Sequence, residues 1–166
     1  MKNIHTIWLL MLLPVFVKAQ TKRAFNPETD TVAISNTRGV WKILVPEKVL
    51  IASAQIITPA LDAVYEVRVQ EIKSKSYIFF KGKNREAPEK ALTVMVRLDE
   101  ISPGVWKTGN MYQACKGEYC SQCNFVDYMG CACEQYNAPP NEEPVMSLCN
   151  HMITIGKGLG KVEAAR

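Results

Sequence analysis

Ser76-Tyr77-Ile78-Phe79-Phe80-Lys81-Gly82 and Ala91-Leu92-Thr93-Val94-Met95-Val96-Arg97-Leu98-Asp99 decide the fold class. Both runs are dense in aromatic and β-branched residues, and the second sets Leu92, Val94, Val96 and Leu98 at alternate positions, the spacing that lines one face of a strand. Between them lies a charged loop from Lys83 to Lys90, as adjacent antiparallel strands would have.

Upstream, Ala60 to Lys73 is ambiguous. Leu61, Val64, Tyr65 and Arg68 lie at helical spacing, while Tyr65, Val67 and Val69 alternate; a strand from Val64 onward is the preferred reading. Val49 to Thr58 is apolar and rich in β-branched residues, and Pro59 closes it as it would close a strand. Before it, Thr31 to Ser35 and Val40 to Val45 flank a turn at Asn36 to Gly39, which makes a hairpin. Downstream, Ser102-Pro103-Gly104 turns into Val105-Trp106-Lys107. The fold class is therefore β-rich, with α+β as the variant: an antiparallel sheet over residues 31–110. Residues 20–30, polar and carrying Asn26-Pro27, form a lead-in with little structure of its own. His151 to Ile155 reads as a last strand, and residues 156–166, rich in glycine and lysine, read as a disordered tail.

Residues 1–19 have the pattern of a cleavable secretory signal peptide. Lys2 precedes an apolar run from Ile7 to Phe16, and Val17-Lys18-Ala19 suits signal peptidase. That run is too short to span a bilayer, which takes roughly 20 apolar residues. The 147 residues after position 19 carry 18 basic and 16 acidic side chains, since Lys2 and Lys18 go with the signal. A net charge near +2 is not that of a nucleic-acid binder. With no later apolar stretch long enough for a transmembrane segment, the expectation is a periplasmic or secreted protein with an envelope or extracellular ligand.

All six cysteines fall within Cys115, Cys120, Cys123, Cys131, Cys133 and Cys149, and residues 1–114 have none. Clustering of this kind marks a loop-rich module, placed at residues 111–155, that disulfides or a metal would staple. Three disulfides among the six are the favoured reading, with the pairing open. Cys131 and Cys133 should bond elsewhere rather than to each other, because alternate positions of an extended chain meet awkwardly for a bridge. The expectation for cofactors is none.

Zinc is the alternative, with Cys120, Cys123, Cys131 and Cys133 as thiolates and Cys149 with His151 as a spare pair on one strand face. Cys115-x4-Cys120-x2-Cys123 also has the spacing of a plant-type 2Fe-2S ligand set, with Cys149 as the distant fourth. Export and the two further cysteines place it behind zinc. Thiol-disulfide chemistry at Cys120-Ser121-Gln122-Cys123 is a third reading, weakened because no helix start follows the motif to stabilise a thiolate.

Other catalytic chemistry finds little support, and the chain leans away from an enzyme. Removal of the signal takes His5, leaving His151 as the one histidine for any activated nucleophile. Asp99-Glu100 and Glu142-Glu143 are adjacent pairs on turns, not acids facing across a cleft. Lys73, Lys75, Lys81, Lys83, Arg85 and Lys90 surround Tyr77, Phe79 and Phe80; these read as edge-strand lysines with the aromatics turned inward.

Tyr77 to Lys83, the strand Leu92 to Leu98, then Cys120-x2-Cys123, Gly130-Cys131-x-Cys133 and Cys149-Asn150-His151 together resemble small secreted bacterial proteins of uncharacterised activity that end in the same cysteine cassette. The resemblance covers residues 77–155. It implies export and a compact cysteine module, and supplies no catalytic residues. The resulting expectation is a small binding or structural protein.

Overall fold

The computed structural model describes residues 24–118, 120–127, 130–135 and 148–163. The signal pattern of residues 1–19, the proline pair at 139 and 140 and the acidic pair Glu142-Glu143 lie outside them.

The chain is β-rich, with one helix among the described residues. A short hairpin of β1 (Ala33–Ser35) and β2 (Trp41–Ile43) precedes α1 (Glu47–Ile57). Four long strands follow: β3 (Leu61–Ile72), β4 (Lys75–Asn84), β5 (Ala91–Ser102) and β6 (Val105–Glu118). They form an antiparallel meander, and β6 then carries β1 on its free side near Val105 and Trp106. Further along that same side it carries β9 (Leu148–Ile155), from Met111 opposite Ile155 to Glu118 opposite Leu148. A separate two-stranded hairpin, β7 (Cys120–Phe125) with β8 (Cys131–Gln135), lies off the main sheet.

β4 and β5 are buried in long unbroken runs, and the reason is that the sheet is covered on both faces. On one side Ile78, Phe80, Leu92, Val94, Val96 and Leu98 join Leu50 and Ala54 of α1 in the main core. That core also takes Trp41 and Ile43 from β2 and Val64 and Val67 from β3, so residues from both ends of the curled sheet meet in it. On the other side Tyr77, Phe79 and Met95 form a smaller cluster against Met111 and Phe125, under the β7–β8 hairpin.

Several expectations are corrected. Val49 to Thr58 is not a strand: Leu50, Ser53, Ala54 and Ile57 recur at helical spacing and put one face of α1 on the core, which outweighs the β-branched composition. The strand expected from Val64 begins earlier, at Leu61, and an irregularity between Asp62 and Glu66 hides its alternation. β4 is an interior strand, so its lysines do not guard an edge; Lys81 is nearly buried and pairs with Glu66 at 3.3 Å. Asp99 and Glu100 lie on β5, not in a turn.

The ends of the described chain also pack. Phe25, in the expected lead-in, is buried and pairs its backbone with Val162, the two N–H···O bonds measuring 2.9 and 3.0 Å. Leu159, in the expected disordered tail, is 5% exposed. The Gly160 N–H donates to the Ser53 carbonyl at 3.1 Å, and the Ser53 hydroxyl donates back to the Gly160 carbonyl. One large buried side chain from each segment, together with these hydrogen bonds, holds them.

The division of the chain at residue 110 does not fall between elements. β6 runs through it unbroken, and β9 from the cysteine-rich region completes the main sheet.

Candidate functional site: the cysteine cluster

Strand alternation brings Cys115 to the site. On β6, Tyr112 and Ala114 face the main core, so Met111, Gln113 and Cys115 face the β7–β8 hairpin. On β7, residues three apart would ordinarily point to opposite faces. The register shift between Cys120 and Cys123 returns both sulfurs to the same side. Cys131 and Cys133 alternate on β8, and Cys149 reaches in from β9, where it stands opposite Gly117 of β6.

Three cysteine pairs stand at disulfide distance: Cys115 with Cys131, Cys120 with Cys133 and Cys123 with Cys149, their Cα atoms 5.9, 5.4 and 6.5 Å apart. Each pair joins the hairpin to something else or closes it on itself. The first anchors β8 to β6, the second links β7 to β8, and the third anchors β7 to β9. Cys131 and Cys133 stand at disulfide distance from Cys115 and Cys120 and not from each other. Cys120 and Cys123 do not pair with one another, and they lie on a strand, so the arrangement of a helix-capped redox pair is not present there.

The cluster is tighter than its pairing. The Cys149 sulfur lies 2.7 Å from that of Cys133 and 3.9 Å from that of Cys120. Grouped by mutual distance, the six sulfurs fall into two triads, Cys115/Cys123/Cys131 and Cys120/Cys133/Cys149, each with all its sulfurs within 4.8 Å of one another. The cysteines are therefore close enough both for disulfides and to hold a metal. The four thiolates considered for zinc, Cys120, Cys123, Cys131 and Cys133, divide two and two between the triads.

His151 sits on β9 opposite Cys115, two positions along from Cys149. Its Nε2 hydrogen-bonds the Gln113 amide oxygen at 2.7 Å, and its ring meets Phe125 edge-on at 5.8 Å between centroids. It belongs to neither sulfur triad. The spare pair thus divides, Cys149 going to the sulfurs and His151 to the aromatic side of the hairpin.

Three residues that the sequence reading passed over frame the site. Thr93 is buried on β5 and its hydroxyl donates to the Cys123 carbonyl at 2.5 Å. Gln113 is buried and holds His151. Gly117 leaves room for the hairpin: a Cβ there would come within 2.9 Å of the Cys120 Cβ and 3.2 Å of the Cys123 Cβ. The available signal was the alternation of Met111, Gln113 and Cys115, which places a polar amide on the face a cysteine shares.

The basic and aromatic stretch forms no comparable site. Tyr77, Phe79 and Phe80 are buried, and around them Lys81 pairs with Glu66, Arg85 with Asp62 and Lys90 with Glu118. A surface cleft of about 340 Å³ lies elsewhere, between Pro27, Asp99, Lys107 to Asn110 and the Gly156 to Leu159 segment.

No protein-family model, no curated protein and no solved structure matches the chain.

Proposed function

We propose that the chain is an exported binding or structural protein of the periplasm or extracellular space, in which the cysteine cluster staples the β7–β8 hairpin over one face of the sheet. The observation that carries this reading is the set of three disulfide-distance pairs, two of which tie the hairpin to β6 and β9. Disulfides persist in oxidising compartments and serve segments with too little core of their own. The hairpin is such a segment, contributing Phe125 to the sheet's second apolar cluster and cysteines to the rest.

Other support comes from the signal-like pattern of residues 1–19 and from the resemblance to secreted cassette proteins. No described helix is long and apolar enough to cross a membrane. His151, the one histidine among the described residues, is engaged by Gln113 and Phe125, which favours a positioning role over that of a catalytic base. The ligand is then an envelope or extracellular component, met by the surface of the β domain.

The test is the intact mass of protein purified from the oxidising compartment, with and without alkylation in denaturant without reductant, together with metal analysis. A chain lacking residues 1–19, with no alkyl adduct and no zinc or iron, is the expected result. Four or more free thiols with one metal equivalent would instead make the cluster a resident metal centre.

A further inference from the structure

We propose that the fully reduced chain presents two three-thiolate sites for a soft monovalent cation of the Cu(I) class. One is formed by Cys115, Cys123 and Cys131, the other by Cys120, Cys133 and Cys149. This goes beyond the stapled scaffold, which concerns the oxidised chain.

The grouping of the sulfurs carries the inference. Disulfide pairing requires only that sulfurs meet in twos, yet here they gather in threes, and the triads are not unions of the bonded pairs. Cys123 and Cys149 bond to each other while each completes a different triad. With the three bonds in place every sulfur already has two others within 4.8 Å, so reduction leaves three thiols gathered in each triad. A metal–sulfur bond of about 2.3 Å places the sulfurs of a trigonal site about 4 Å apart, so each triad closes around one ion with small side-chain adjustments.

The donor set selects the ion. Six thiolates and no oxygen or nitrogen make a soft site, which suits Cu(I), zinc or iron-sulfur units. Zinc takes four ligands in structural sites. Among the described residues neither triad gains a fourth donor from a histidine, aspartate or glutamate, and His151 is turned to Gln113. Three-coordinate Cu(I) is the ion whose needs three thiolates meet. The three bonds must first take up six electrons and six protons from a dithiol reductant, which leaves as its own disulfide; metal binding then loses thiol protons to solvent and transfers no electron.

Burial gives each site a floor and an entrance. Cys115, Cys120 and Cys123 are buried, whereas Cys131, Cys133 and Cys149 are half-buried, so both ions would enter along the β8 and β9 side.

The experiment is an anaerobic titration of the reduced full chain with Cu(I), competed against a chromophoric Cu(I) chelator and followed by far-ultraviolet circular dichroism. Two equivalents should bind, protect all six cysteines from alkylation and retain or restore the β signal. Cys131→Ser should lose one equivalent, Cys133→Ser the other, and the double variant both. Three results would overturn the proposal: uptake no tighter in the folded reduced chain than in urea, one equivalent of Zn(II) with a tetrahedral Co(II) spectrum in place of two Cu(I), or a copper-loaded chain without the β signal. Each is read on the wild-type chain, so a variant that fails to fold leaves the outcome decided. Failure here leaves the disulfide count of the oxidised protein untouched, so the two readings fall separately.

Discussion

Cys149 and Cys133 hold their sulfurs 2.7 Å apart although each stands at bonding distance from another partner, Cys123 and Cys120 respectively. One belongs to β9, a strand of the main sheet, and the other to β8, a strand of the hairpin. Of the three bonded pairs, Cys115–Cys131 and Cys123–Cys149 run from the hairpin to β6 and β9 and only Cys120–Cys133 lies within it, so the cysteines act on its attachment more than on its internal pairing.

Removing that fastening should be measurable. In the oxidised double variant Cys123→Ser/Cys149→Ser, the denaturant midpoint should fall by the equivalent of about 3 kcal/mol, the usual effect of a bridge closing a loop of a few tens of residues. The bridge joins residues 26 apart. The single variant Cys149→Ser should expose one alkylatable thiol, and peptide mapping should find it at Cys123. A label at Cys120 or Cys133 would mean that the bonded pairs differ from those described.

Gly117→Ala should destabilise the oxidised protein by roughly 1–3 kcal/mol, the range for overpacking a filled site. The added methyl would press on the Cβ atoms of both Cys120 and Cys123, which the bridges prevent from retreating. Equilibrium unfolding in urea gives the value, and a change under about 0.5 kcal/mol, the range of an unremarkable surface position, would place the hairpin elsewhere.

Phe125→Ala tests the second face of the sheet. Phe125 meets Phe79 at 6.0 Å and His151 at 5.8 Å, and it is only half-buried. Its loss should cost about 2 kcal/mol, less than the roughly 3–5 kcal/mol of a fully buried phenylalanine such as Phe80. Equal effects of Phe125→Ala and Phe80→Ala, compared by thermal or urea unfolding, would contradict the two-face description.

The contrast between these faces explains how much was legible beforehand. Leu92, Val94, Val96 and Leu98 alternate, and alternation is a local property of the chain, so the sheet and its core face could be read directly. The second face could not, because the cover over Tyr77, Phe79 and Met95 comes from a hairpin some thirty or more positions later along the chain. α1 was missed since its core contacts include Ser53 and Ala54, which carry little hydrophobic signal, among β-branched neighbours. The cysteine site was found as a cluster from its spacing, but its partners were not. Pairing depends on a register shift within β7 and on β9 returning to β6, neither of which any spacing encodes.

The segment after β9 gives the sharpest test of packing against composition. Gly156 to Lys161 has the glycine and lysine content of a loose tail, yet Leu159 is buried in the main core and Gly160 lies on α1. A Cβ at Gly160 would collide with the Ile56 side chain, so the composition reflects a close approach of backbone to helix rather than freedom. Leu159→Ala should therefore destabilise by about 2–3 kcal/mol, the cost of emptying a leucine site. Gly160→Ala should do so too, by loosening the paired bonds with Ser53. Hydrogen exchange supplies the independent readout: the Gly160 and Val162 amides should be protected in the wild type and should lose protection in either variant. Fast exchange at both amides in the wild type would return the segment to solvent and remove Leu159 from the core.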